Sequence, residues 1–341
     1  MRRLRPLLVL AGVGALVAAT PCSAVIWPQP PAAEEAQGPA MRMLQSAALN
    51  SVMRPWSGVQ RMVTTQGGMP RLSAIQVEHR PGEPSPLRVV ASDQQAVPSG
   101  THDAALLDVL DDHYDVVVAG DQLLKGRRTT MIEALRPGVT GPAAVGGRFW
   151  LDAATGMVLR RDVHDETGAV ARTTTFDLVN VGEAAVAGLP ATASAGALDQ
   201  GWLDAMEAEG WPVIRELPSG LELFEARKHD SSGVAVLQLS YSDGLSTMSL
   251  FVQPGELATE PPGTARPVDG GGTVWVSGAN PERLVWSADG RTWTLLSDAP
   301  QTAVEAALRV LPHAPRSVSD SPTARVWRGM SVLGGWLNPF R

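Results

Sequence analysis

The stretch RFWLDAATGMVLRRDVHDETGAVARTTTFDLVNV, residues 148–181, carries the clearest local pattern in the chain. Two turn signals, Asp152-Ala-Ala-Thr-Gly156 and Asp165-Glu-Thr-Gly168, separate three runs with the composition of β-strands. Glycine at the end of each turn supplies the positive φ that short hairpin connections often need. Because no helical segment separates the runs, consecutive strands are expected to pair antiparallel. The stretch therefore predicts a three-stranded antiparallel meander.

Upstream of the meander, two segments are predicted to be helical because their apolar residues recur every three to four positions. These segments are 40–53 and 103–114, the second of which is acidic. Strand composition or alternation marks four further segments, which are 56–68, 71–82, 115–120 and 126–138. Together with the meander they predict an antiparallel N-terminal domain that spans residues 40–190.

Downstream, the small-residue stretch 184–201 predicts a domain boundary near 190–200. Beyond it, VAVLQLSYSDGLSTMSLFVQPG (234–255) and RLVWSADGRTWTLLSD (283–298) each place Asp-Gly between two strand-like runs. Asp-Gly between such runs is the strongest short-range hairpin signal. Residues 302–313 have the pattern of a closing helix. The expectation is a small α+β domain at 200–313, with antiparallel strands and one helix.

The N-terminus has the order of a secretory signal. MRRLRP is basic, LLVLAGVGALVAA is apolar, and TPCSA offers small residues for cleavage, so residues 1–24 are predicted to be a signal peptide and 25–39 a linker. The single cysteine, Cys22, falls in the segment that would be lost, although its lipidation stays open. The mature protein is expected in the periplasm or on the outer face of the cytoplasmic membrane, held together without disulfides.

The C-terminus combines a spacer, 314–324, with the basic and aromatic stretch RVWRGMSVLGGWLNPFR (325–341). Segments of this kind can lie at a membrane interface. The alternative is a tail that folds back on its own domain, and the residues alone leave both interpretations open.

Composition and motifs argue against several kinds of chemistry. The net charge is -7 and no stripe of Lys and Arg crosses the chain, which argues against a nucleic-acid partner. Ser242 lacks the preceding glycine of a nucleophile elbow, and no glycine-rich phosphate loop precedes a helix. The six histidines do not have the spacing of metal ligands on a helix. No catalytic residue, metal site or cofactor is therefore predicted.

Two ordered motifs carry a resemblance to a known family. One is Trp150-Leu151-Asp152 with Thr155-Gly156 and Leu159-Arg160, and the other is Tyr241-Ser242-Asp243-Gly244-Leu245 followed by Ser249-Leu250-Phe251-Val252. In this order behind a signal peptide, they resemble the MucB/RseB family of sigma-E factor regulatory proteins, over roughly residues 40–313. The Trp-rich tail has no counterpart that matches the family pattern.

The resemblance implies both an architecture and a function. The N-terminal domain would be a half-open antiparallel β-barrel covered by helices, similar to LolA-like lipoprotein carriers, and the C-terminal domain would be smaller. Family members are not enzymes; they bind the extracytoplasmic segment of a membrane anti-sigma factor and respond to a lipidic signal of envelope stress. The competing hypotheses are a lipid or lipoprotein carrier and, third, a secreted hydrolase.

Within this framework, two sets of residues are predicted to form sites, with ordinary core packing or turn formation as the alternative for each. The residues expected near an acyl-chain or lipoprotein ligand are Trp56, Trp150, Leu151, Met157 and Phe176. The residues expected near the anti-sigma factor segment are Tyr241, Ser242, Asp243, Gly244, Leu245 and Phe251.

Overall fold

The computed structural model describes residues 38–66, 68–82, 87–92, 104–182, 198–231, 233–269, 272–278 and 282–313. The predicted signal peptide, most of the linker 25–39, the boundary stretch 183–197 and the tail 314–341 lie outside the described residues. Within these ranges the chain forms two eight-stranded sheets, and every strand pair in them is antiparallel.

The first sheet takes all its strands from the N-terminal half of the chain. They are β1 (Trp56–Gln66), β2 (Met69–His79), β3 (Leu87–Ser92), β4 (Asp115–Leu124), β5 (Arg127–Leu135), β6 (Val145–Asp152), β7 (Val158–His164) and β8 (Val170–Val181). The strand order is β3-β2-β1-β8-β7-β6-β5-β4, so among the described residues β3 and β4 form the two edges and the sheet is not a closed barrel. Helices α1 (Pro39–Met53) and α2 (Ala104–His113) belong to this half, as does a short 3-10 helix at Pro142–Ala144.

The second sheet is built from the C-terminal half. Its strands are β9 (Glu216–Leu217), β10 (Leu221–Ser231), β11 (Val234–Ser242), β12 (Thr247–Pro254), β13 (Thr264–Pro267), β14 (Thr273–Ser277), β15 (Glu282–Ala288) and β16 (Arg291–Ser297), in the order β13-β14-β15-β16-β12-β11-β10-β9. Helix α3 (Gln200–Ala208) precedes the sheet and α4 (Gln301–Val310) follows it.

The first sheet packs its inner face against α1 and α2. Apolar residues of both helices meet β5, β6 and β7 in a buried cluster, whose members include Met41, Leu44, Leu110, Ile132, Phe149 and Leu151. A neighbouring cluster joins Trp56, Met62, Ile75, Val77, Met157 and Phe176, which come from β1, β2, β8 and the turn before β7. These contacts hold the helices over one side of a sheet that does not close on itself within the described residues.

The second sheet has a core centred on two tryptophans. Trp286 and Trp293 are each 1% exposed and stack with their ring centroids 6.0 Å apart. The indole of Trp286 donates a hydrogen bond of 2.8 Å to the carbonyl of Pro312, so the end of the described chain is fixed to this core. Helix α4 buries Val304 and Ala307 in the same cluster.

The α+β class and the antiparallel meander are confirmed, because β6, β7 and β8 pair in sequence order. The predicted helices at 40–53, 103–114 and 302–313 correspond to α1, α2 and α4. The second Asp-Gly hairpin closes with two residues, Asp289 at φ 53° and Gly290 at φ 71°, between the paired Ala288 and Arg291. Positive φ at both turn positions is the geometry that Asp-Gly favours.

The expectation of one helix in the C-terminal half was wrong. Helix α3 begins after Asp199, whose carboxylate accepts a hydrogen bond of 3.2 Å from the backbone N–H of Trp202. This N-cap satisfies a donor that would otherwise have no partner, and Leu203 and Met206 then bury one face of the helix. An aspartate followed by apolar residues at helical spacing is a helix-start signal. It was overlooked because it directly follows the small-residue stretch that was assigned to the domain boundary.

Candidate functional site: the junction between the two sheets

The tip of the β11–β12 hairpin packs into the apolar cluster of the first sheet. Strand pairing ends at Ser242 and Thr247, so residues 243–246 form the loop between the two strands. Leu245, in this loop, is 1% exposed and belongs to the apolar cluster of α1, α2 and the first sheet. A Cβ placed on Gly147 would lie 2.5 Å from Cδ2 of Leu245, so the missing side chain of Gly147 creates the socket for this leucine.

Gly244 makes the closest backbone approach in this loop. Its φ is +84°, a conformation that side-chain-bearing residues rarely adopt. A Cβ at this position would lie 2.5 Å from the backbone nitrogen of Leu110 on α2. The glycine is therefore required both by the turn and by the helix that packs on it.

Asp243 is the polar centre of the junction. Its carboxylate accepts hydrogen bonds from the backbone N–H groups of Leu245 (2.9 Å) and Ser246 (2.6 Å) and from the hydroxyl of Tyr114 (3.0 Å). Tyr114 connects α2 to β4, so this last bond joins the two domains. Burial raises the pKa of Asp243, while these hydrogen bonds and the charge of Arg161 act in the opposite direction.

Two arginines of the first domain support the loop from the other side. Arg161 on β7 is 8% exposed, lies 5.6 Å above the ring of Phe149 and donates a hydrogen bond to the carbonyl of Leu245. Burial, with a contribution from the neighbouring charge of Arg172, lowers the pKa of Arg161 to about 10. Arg172 on β8 forms an ion pair with Asp298, which follows β16, so the second contact also crosses the junction.

A cavity of about 300 Å³ opens beside this loop. Both halves of the chain contribute to its walls, which include Tyr114, His164, Glu166, Leu245, Ser246 and Ala303. At its margin the hydroxyl of Thr302 donates a 2.6 Å hydrogen bond to Glu166, another contact between the halves. A volume of this size is at the lower limit of ligand pockets and suits one side chain or a small group. Because its walls come from both domains, its occupant would contact both.

The structure brings three of the five predicted ligand residues together. Trp56, Met157 and Phe176 share one apolar cluster, in which the rings of Trp56 and Phe176 meet edge to face with centroids 5.5 Å apart. Each of the three is at most 7% exposed. The indole of Trp56 donates a 2.9 Å hydrogen bond to the carbonyl of Ser51 at the end of α1.

The other two predicted ligand residues lie elsewhere. Leu151 packs in the neighbouring cluster under α1. The indole of Trp150 donates to the side-chain oxygen of Gln122 at 3.0 Å, beneath the guanidinium of Arg160. Successive residues of a strand point to opposite faces, which separates Trp150 from Leu151. Binding of an acyl chain by the five residues stays a prediction.

The predicted partner residues divide in a similar way. Tyr241 is fully buried in the second core and donates a 2.7 Å hydrogen bond to the carbonyl of Ile214. Ser242 receives a hydrogen bond of 2.9 Å from the backbone N–H of Gly244. Ser242, Asp243, Gly244 and Leu245 form the inner part of the junction, whereas Tyr241 belongs to the second core and Phe251 is half-buried on β12. Their role toward a partner stays a prediction.

Sequence reasoning missed Tyr114, Arg161 and Arg172. Tyr114 ends a segment that reads as an acidic helix, and the two arginines alternate with polar residues in strands. None of these local patterns indicates that the residues converge on a loop more than 70 positions away. The Ser-Asp-Gly turn was predicted from the sequence, but its packing against the first sheet was not.

The pH dependence of stability offers a test of the Asp243 environment. The folded state holds a proton on this carboxyl above the ordinary value of 3.8, whereas the unfolded chain does not. The unfolding free energy is therefore expected to fall as pH rises from 3.8 through the raised pKa, because the native state binds more protons in that interval.

Asp243→Asn should remove this part of the pH dependence, since the amide keeps an acceptor for the two N–H groups and carries no titrating proton. Urea unfolding of both proteins at a series of pH values measures the difference. If both lose stability in parallel as pH rises, the carboxyl is not the cause.

Membrane-spanning helices and metal-binding clusters are both missing from the described residues. None of the helices in these ranges is long and apolar enough to cross a membrane. Among the same residues, no three metal-binding side chains of His, Cys, Asp or Glu cluster together.

The chain resembles several solved structures, although no family model and no curated protein matches its sequence. The crystal structure of MucB in complex with MucA(peri) is 19% identical, covering 81% of this chain and 100% of that one with a TM-score of 0.41. The Pseudomonas aeruginosa MucA/MucB complex is 18% identical, covering 82% and 100%, with a TM-score of 0.43. A putative outer membrane lipoprotein-sorting protein domain from Vibrio parahaemolyticus is 10% identical, covering 45% and 94%, with a TM-score of 0.22. The solved structures that this chain resembles thus include MucB, whose family its sequence motifs also resemble.

Proposed function

We propose that this protein is an exported, non-enzymatic regulator that binds the extracytoplasmic segment of a membrane anti-sigma factor. It would control an extracytoplasmic-function sigma factor from the periplasm or the outer face of the cytoplasmic membrane. The observation that carries the proposal is the 300 Å³ cavity whose walls come from both domains. A segment bound in this cavity would contact both halves of the chain, so its binding would depend on how the two halves are arranged. A regulator needs this dependence.

The junction supplies the two-state element that regulation requires. Its polar contacts include Tyr114 with Asp243, Arg161 with the Leu245 carbonyl, Arg172 with Asp298 and Thr302 with Glu166, and Leu245 adds one buried apolar contact. Interfaces between domains of one chain move by default unless they are large and apolar. A segment bound at the cavity would favour one arrangement, and its release would favour another.

Response to a lipid would follow from reciprocal coupling. A ligand that binds the partner-free form better than the partner-bound form must weaken the partner's affinity by the same factor. The apolar cluster of Trp56, Met157 and Phe176 is the proposed location for the acyl chain, since the end of α1 lies beside it at Ser51 and the sheet that carries it has two free edges among the described residues. Opening of α1 would be needed for entry, because these side chains are buried.

The second candidate function is a lipid or lipoprotein carrier. The observation that favours it is the same apolar cluster, on the inner face of a sheet with two free edges among the described residues. A carrier would need the acyl-chain site without the partner site.

Capture from membranes distinguishes the two functions. A tagged chain beginning at residue 25 is incubated with solubilised membranes of the source organism, and bound proteins and lipids are identified by mass spectrometry. The regulator is expected to retain a single-span membrane protein whose cytoplasmic part binds a sigma factor. Stoichiometric lipid with no such protein would support the carrier, and recovery of neither would contradict both.

A further inference from the structure

Strand β4 is an unusually open sheet edge. It is ten residues long and forms the last strand of the first sheet in the part of the chain described. Three apolar side chains on it are exposed: Val117 (39%), Val118 (44%) and Leu123 (75%). Long edges with exposed apolar residues pair readily with another strand, so proteins usually cover or blunt them.

The edges of the second sheet show such blunting. Strand β9 has only two residues, and β13 has four and ends at Pro267. Strand β4 has neither protection, although a register shift between Val118 and Gly120 divides it into two parts. An occupant is therefore expected along β4 and not along the other two strands.

The charge around β4 restricts what that occupant can be. From residue 104 to residue 124 the chain carries five aspartates, two of which (Asp115 and Asp121) are on the strand, and no Lys or Arg. Of the cations that follow, Lys125 and Arg127 form ion pairs with Asp177 and Asp152, and Arg128 lies opposite Leu123 near the end of the strand. A second copy of the chain would bring another acidic β4 against this one, and like charges opposite each other destabilise strand pairs. The strand favours a partner that carries cations.

Two segments of the chain outside the described residues can be compared as occupants. Residues 25–37 contain three prolines and two glutamates, so they lack amide donors for a ladder and repeat the negative charge. Residues 314–341 contain four arginines and one aspartate, and the part after 324 includes Val326, Trp327, Val332 and Leu333. The tail has the charge and the strand-forming residues that β4 requires.

The tail also begins close enough to reach β4. Ala303 on α4 and Tyr114, directly before β4, line the same 300 Å³ cavity. From Ala303 the chain reaches the last described residue, His313, through about 10 Å of helix up to Val310 and at most about 11 Å of extended chain after it. The spacer 314–324 can span up to about 36 Å when extended, which exceeds the sum of that length and the width of the cavity.

We propose that residues within 325–333 add to the outer edge of β4 as an extended strand, so that the chain covers its own sheet edge. Backbone hydrogen bonds would supply most of the affinity, and Arg325 and Arg328 would face the aspartates at and near the strand. The tether raises the local concentration of the tail at β4 to the millimolar range, which favours this occupant over a free one. The proposal is independent of the anti-sigma factor, since it concerns two parts of one chain.

Hydrogen exchange tests the proposal directly. The full mature chain is compared with a chain that ends at His313 and keeps every described residue. Amides of 115–124 are expected to exchange at least tenfold more slowly in the full chain, while amides of the central strand β16 exchange equally in both. A synthetic peptide of residues 322–341 should restore the slow exchange when added to the shortened chain.

Charge reversal in the full chain provides a second variant that leaves both domains unchanged. Arg325→Glu with Arg328→Glu should restore fast exchange at β4. Equal exchange of β4 in the full and shortened chains would overturn the proposal, as would full protection in the charge-reversed chain. Binding of the peptide to anionic vesicles with no effect on β4 would also overturn it and assign the tail to the membrane.

Discussion

Replacing Arg161 by alanine is expected to lower the free energy of unfolding by about 3–5 kcal/mol. The guanidinium is buried, donates to the carbonyl of Leu245 and lies close to the buried carboxyl of Asp243. Its removal leaves that carbonyl without this donor and deprives Asp243 of the positive charge that opposes its burial. Urea unfolding, followed by tryptophan fluorescence, measures the shift of the midpoint.

The matched control for this substitution is Arg148→Ala. Arg148 also forms an ion pair, with Glu133 at 2.7 Å, but its side chain is 35% exposed, and as the residue after Gly147 on β6 it points to the other face of the sheet. Exposed pairs contribute little, so a loss below about 1 kcal/mol is expected. If both substitutions lower the free energy of unfolding equally, the contacts of Arg161 at the junction are not the cause of its effect.

Gly244→Ala is expected to destabilise the protein by more than about 3 kcal/mol. The positive φ alone costs a side-chain-bearing residue about 1–2 kcal/mol. The added Cβ would also meet the backbone of Leu110, which cannot move without shifting α2. Thermal and urea unfolding would show the loss, and small-angle X-ray scattering would show whether the two domains separate.

Gly138→Ala separates the cost of the positive φ from the cost of the clash with Leu110. Gly138 has φ +70°, close to that of Gly244, but a Cβ there would meet no atom within 4 Å. The cost should therefore be only that of the positive φ, about 1–2 kcal/mol. If the two alanine variants lose equal stability, the packing of the hairpin tip on α2 does not contribute.

Local signals predicted much of this fold. The turn signals at Asp152–Gly156 and Asp165–Gly168 specify strand order because short connections leave only antiparallel neighbours. The apolar periodicity of 40–53 was sufficient for α1, since its buried positions recur at helical spacing. In each case the information lies within a few residues.

The junction could not be predicted in the same way. Nothing in the sequence around Leu245 marks it as a buried contact. The space that it fills is left by Gly146 and Gly147, about 100 positions earlier. Outside the loop, the partners of Asp243 and of the Leu245 carbonyl are Tyr114, between α2 and β4, Arg161 on β7 and Arg172 on β8. Such contacts depend on how the two sheets pack together. The periodicity of apolar residues within one strand or helix carries no information about this packing.

The central claim is that this protein works by binding a segment of a membrane anti-sigma factor. Isothermal titration calorimetry of the mature chain with the purified extracytoplasmic segment of the captured membrane protein tests it most directly. The account predicts saturable binding that weakens when an acyl-chain lipid is added. Absence of binding at every concentration, with or without lipid, would contradict it.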